Sequence, residues 1–137
     1  MKAPEIGASA QISKTIDETV VAAFAAVSGD TNPMHLSADF ARHTRYKRPI
    51  AHGMLTATLI SAVIGTKLPG PGCIYVSQTL YFRRPVFVGD RITATVTVTA
   101  IAADEPLLTL RTQCANQAAH IVLDGEARVL LDDLADA

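Results

Sequence analysis

The sequence has only two cysteines, Cys73 and Cys114, far apart and without the paired spacing of a zinc or dithiol site. That excludes a disulfide-stapled scaffold and reads both thiols as reduced packing residues of a cytoplasmic protein. Charge is also scarce. A formal net charge of −1 leaves nothing to grip a nucleic-acid backbone or an anionic membrane surface, and no basic stripe with interleaved aromatics is present. The longest strongly apolar stretch, residues 54–64, falls well short of the roughly 20 residues that span a bilayer. The opening residues, MKAPEIGASAQISK, contain no apolar core of a secretory signal, so none is expected. Repeats, linkers and low-complexity tracts are missing. So are phosphate-binding glycine loops, a G-x-S-x-G elbow and any metal-ligand cluster, so no metal is expected.

What is present suits one globular domain spanning residues 1–137, with 49% of its residues apolar. Residues 8–14 read as a short strand. Thr15-Ile16-Asp17-Glu18 has the form of a capping box, with Thr15 as N-cap. The helix that follows places Val20, Val21, Phe24 and Val27 at helical spacing and stops at Gly29. Asp30-Thr31-Asn32-Pro33-Met34-His35 reads as an irregular loop, since Pro33 disfavours a continuing helix. Ser37 can cap a short helix to about His43, and residues 44–52 are expected to be loop. From Gly53 to Ile64 apolar side chains cover every direction around a helix, interrupted only by Thr56, Thr58 and Ser61. A helix apolar all round is expected to be buried all round. Gly65 is expected to end it, before the turn-rich Leu68-Pro69-Gly70-Pro71-Gly72.

The second half is strand. Residues 73–82, 92–99, 107–114 and 120–131 are rich in β-branched and aromatic residues. In the second of these, Ile92, Ala94, Val96 and Val98 alternate strictly with threonines. Four successive antiparallel strands after one apolar helix indicate an α+β domain. The simplest way to bury that helix is to wrap the antiparallel sheet around it, the hot-dog architecture. A second copy of the chain would complete the burial and cover the sheet edges, so a homodimer is expected.

Chemistry can reside in few places. Asp30 and His35, a carboxylate and an imidazole on one bent loop, can hold one water between them and move its proton. The same residues are also ordinary turn vocabulary. Gly53 begins the apolar helix, where the first N–H groups lack intrahelical acceptors and carry partial positive charge. Its amide can stabilise a developing oxyanion, or the glycine can simply let the chain turn. His52 beside it reads as structural. Ser61 can bond to Asp30 or to its own helix backbone. His43 and His120 read as surface residues, Asp90 as a turn residue, and Arg83 and Arg84 as solvated or as partners for phosphate groups.

Three segments together resemble the MaoC-like, hydratase-2 family of hot-dog enzymes. They are residues 24–35 (FAAVSGDTNPMH), 48–55 (RPIAHGML) and 81–90 (YFRRPVFVGD). Their order and spacing extend the resemblance over about residues 10–131, leaving the acidic stretch 132–137 outside it as an expected frayed tail. The resemblance is greatest to the short (R)-specific enoyl-CoA hydratases that supply polyhydroxyalkanoate synthesis. It implies a lyase adding water to trans-2-enoyl-CoA, with Asp30 and His35 activating the water. The Gly53 amide would polarise the thioester carbonyl, and Ser61 would lie near Asp30. It also implies a homodimer and no metal or redox cofactor. On helical spacing and the resemblance, the acyl chain is expected to pass Ser61 and Ile64, with Val129 as a wall. Two rivals remain at this point: a hot-dog thioesterase cleaving the C–S bond, and a non-catalytic acyl-CoA binding subunit.

Overall fold

The computed structural model describes residues 3–131; the tail expected at residues 132–137 lies outside the described residues. Strand β1 (Ser9–Thr15) leads into helix α1 (Glu18–Ser28), the short helices α2 (Pro33–Leu36) and α3 (Ala38–Ala41), and the long helix α4 (Gly53–Thr66). Strands β2 (Cys73–Gln78), β3 (Tyr81–Phe82), β4 (Arg91–Ile101), β5 (Leu107–Ala115) and β6 (Ile121–Leu131) complete the chain. The strands form one antiparallel sheet in the order β1-β4-β5-β6-β2, with β3 also pairing with β6. This is the α+β hot-dog arrangement.

Period-two patterning sets which face of the sheet turns inward. Ile92, Ala94, Val96 and Val98 of β4 are buried and pack with Leu108, Leu110, Val122 and Val129 of the neighbouring strands. Against that surface α4 presents Leu55, Leu59, Ile60, Val63 and Ile64, all buried. Cys114 of β5 belongs to the same core, and burial pushes its thiol up to about 12.

The structure departs from the sequence reading in several places. The N-cap of α1 is Asp17, not Thr15, and its carboxylate accepts the Val20 N–H at 2.9 Å. Thr15 is still paired with Arg91 in the sheet and cannot also start a helix. Val27 is 87% exposed, because α1 turns Val21 and Ala25 inward instead. Pro33 opens α2 rather than preventing a helix, since a first-turn proline loses no hydrogen bond. Residues 73–82 are two strands, β2 and β3. Helix α4 continues through Gly65 to Thr66. It is also not buried all round in one chain: Met54 is 55% exposed, and Thr58, Ser61 and Gly65 lie on the same exposed stripe. A single sheet wraps only one side of a helix.

Candidate active site

The site grows from the end of α1. Gly29 takes a left-handed backbone (φ 80°) and donates its N–H to the Ala25 carbonyl, so the chain leaves the helix axis sharply. Ser28 Oγ donates to the Phe24 carbonyl and accepts the Asp30 N–H. The Asp30 carboxylate then accepts the Asn32 N–H at 3.2 Å, and the Asn32 side chain accepts the Met34 N–H at 3.2 Å. Two successive turns of this kind tie Asp30 directly to the start of α2.

His35 lies on the last turn of α2, half-buried. Its Nδ1–H donates to the Ile50 carbonyl at 2.6 Å. A carbonyl only accepts, so the neutral ring carries its hydrogen on Nδ1 and leaves Nε2 as a free base. Ile50 is itself held by its N–H to the Met34 carbonyl and by a β-bridge to Phe87. Behind His35 stands His52, 2% exposed, with its ring stacked on that of His35 at 3.9 Å between centroids. His52 Nε2–H donates to the backbone carbonyl of Asp30 at 2.9 Å. One carboxylate or ring-nitrogen atom from each of Asp30, His35 and His52 lies within 4.8 Å of the others.

Gly53 follows His52 as the first residue of α4, and its N–H has no acceptor among the described residues. It borders a cavity of about 450 Å³ lined by Met54, Thr56, Phe82, Val122 and Leu123, with Arg83 and Arg84 also on its wall. The cavity is apolar along α4 and basic where the arginines stand. Arg83 pairs with Asp124 at 3.1 Å.

Asp30 and His35 therefore lie together with His52, and His52 is the residue directly before the amide end of α4. Ser61, Ile64 and Val129 are not part of this cluster. Ser61 is on the exposed stripe of α4, while Ile64 (1% exposed) and Val129 (0%) pack in the core. Sequence reasoning assigned His52 a structural place and overlooked Phe82. The signal for His52 is its position directly before the apolar helix; Phe82 falls in the segment 81–90 that carries the resemblance, without a role of its own there.

The chain matches the family model described as MaoC like domain over residues 2–112. It is 51% identical over 125 residues to an (R)-specific enoyl-CoA hydratase of Rhodospirillum rubrum, covering 91% of this chain and 86% of the relative. It is 50% identical over 127 residues to the (R)-specific enoyl-CoA hydratase of Aeromonas caviae, covering 93% and 95%. The solved structure of an (R)-hydratase from A. caviae involved in PHA biosynthesis superposes with a TM-score of 0.93 at 48% identity. That match covers 96% of this chain and all of the other. Motif, fold and full-length similarity agree: the chain belongs to the MaoC-like domain family.

Proposed function

We propose that this protein is an (R)-specific enoyl-CoA hydratase, a hydro-lyase that reversibly adds water to trans-2-enoyl-CoA to give (R)-3-hydroxyacyl-CoA. One observation carries the reading. The Asp30 carboxylate and the His35 ring lie together around His52, the residue directly before Gly53, and His35 presents Nε2 because the Ile50 carbonyl takes its Nδ1–H. An enoyl thioester is electrophilic at C3 because its carbonyl oxygen can take up charge. The Gly53 N–H receives that charge, and Asp30 with His35 removes a proton from the water that adds at C3. The same pair returns a proton to C2 on the same face. Every step uses one side of the substrate, as one acid–base cluster requires.

The acyl chain runs along α4 past Ser61 and Ile64, with Val129 as a wall. A second copy of the chain covers that stripe together with the exposed Ile74, Tyr75 and Val76 of the edge strand β2. Light scattering at micromolar concentration should then give twice the chain mass. Among the described residues no helix is long and apolar enough to cross a membrane; we assign the enzyme to the cytoplasm, with supply of polyhydroxyalkanoate synthesis as its role and no cofactor beyond the CoA of its substrate.

Crotonyl-CoA and a thiol reagent test the function together. Loss of enoyl-thioester absorbance without release of free CoA is the expected result. Release of free CoA would make the protein a thioesterase, and neither change would count against both activities.

A further inference from the structure

We infer that His52 is a positioning residue for the hydration reaction, holding Asp30 through its backbone and His35 through its ring. The inference rests on the hydratase reading above. His52 occupies the N-cap of α4, yet its side chain accepts no hydrogen bond from the helix amides, the usual work of a polar residue there. Its Nε2–H reaches back to the Asp30 carbonyl instead, joining residues 22 apart in sequence at 2.9 Å. One face of its ring lies on His35 at 3.9 Å and 30°, and Phe24 meets it at 4.8 Å and 59°.

The second ring nitrogen shows that filling space is not its purpose. Nδ1 is buried and has no hydrogen-bond partner among the described residues. An unpartnered buried polar atom costs stability, and an apolar side chain of similar size would fill the space without that cost. Imidazole is the side chain that offers both an edge N–H for Asp30 and a flat face for His35. The need for both is mechanical. Asp30 is exposed and follows the left-handed Gly29, so its carboxylate is located by short turns alone unless its carbonyl is anchored. A displacement of about 1 Å between reacting groups can cost about 10²-fold in rate.

Two substitutions separate the two contacts. His52→Phe keeps a ring against His35 and removes the N–H to Asp30; His52→Gln keeps an N–H near the position of Nε2 and removes the ring. With crotonyl-CoA, His52→Phe should lower kcat at least about 10-fold and leave KM within about twofold, the pattern of a lost transition-state arrangement. His52→Gln should recover at least about threefold of that kcat, because the anchor to Asp30 returns. Circular dichroism confirms folding of each variant, and His52→Leu replaces His52→Phe where the larger ring does not pack. Wild-type kcat in a folded His52→Phe or His52→Leu variant, a loss confined to KM, or a Gln variant no better than Phe would each overturn the assignment. An inactive wild-type protein would instead remove the hydratase reading itself.

Discussion

A Cβ placed on Gly53 would lie 2.6 Å from Cε1 of Phe82. A side chain at the start of α4 would thus displace the half-exposed Phe82 ring of β3 that leans over it, and the same ring forms a wall of the cavity beside Gly53. The two residues are 29 positions apart and meet only because β3 pairs with β6 across the mouth of the helix.

Gly53→Ala should therefore push the half-exposed Phe82 ring aside at a cost of no more than about 1 kcal/mol, since an exposed ring can turn away. Alanine retains the backbone N–H, so the oxyanion donor survives the change. If the steric contact is the whole effect, adding Phe82→Ala should return kcat to that of Phe82→Ala alone. Denaturant titration and hydration kinetics on the two single variants and the double variant measure this coupling directly.

Asp30→Asn keeps shape and hydrogen bonding but removes the base, and His35→Gln removes the ring nitrogen that Ile50 leaves free. Each should lower kcat by at least about 10²-fold, typical of losing a positioned acid–base group. The double variant should be little worse than the poorer single one, because both act on one water. Melting temperatures should hardly move, since Asp30 is exposed and His35 only half-buried. Near-normal turnover in either folded single variant would take that residue out of the mechanism.

Ile64 is 1% exposed and packs between α4 and the sheet. Ile64→Ala should cost about 2–5 kcal/mol and, if Ile64 closes the acyl path, shift preference from C4 toward C8 enoyl-CoA. An unchanged C4-to-C8 ratio of kcat/KM in the folded variant would show that Ile64 belongs to the core alone.

Cys114 supplies a prediction about pH. Burial raises its thiol from the ordinary 9.0 to about 12 in the folded protein, so the unfolded chain loses that proton first as pH rises. Its contribution is fully present below about pH 9 and declines as pH rises from 9 toward about 12. Cys114→Ala should be less stable than wild type at pH 7 and should show a shallower decline above pH 9. Parallel slopes in urea titrations of the two proteins would contradict this.

Much of the architecture was legible because its causes are local. Alternation of Ile92, Ala94, Val96 and Val98 with threonines needs only the period of a strand to decide which face is buried. The apolar residues of α4 announce a core helix in the same way. The sequence also places Asp30 and His35 on one short segment, with four residues between them. What it could not decide were contacts whose partners come from distant segments. Thr15 has the chemistry of an N-cap, but pairing with Arg91 holds it in the sheet, so Asp17 takes the role. Only the meeting of Phe24 and the loop after α1 with the segment before α4 carries His52 Nε2 to the Asp30 carbonyl and stacks its ring on His35. Likewise, whether α4 is covered on every side depends on how far one sheet can wrap, and the exposed stripe through Met54, Thr58, Ser61 and Gly65 shows where a single chain runs out of sheet. Periodicity encodes which face of an element is apolar; which surface meets that face is settled by the packing of the whole chain.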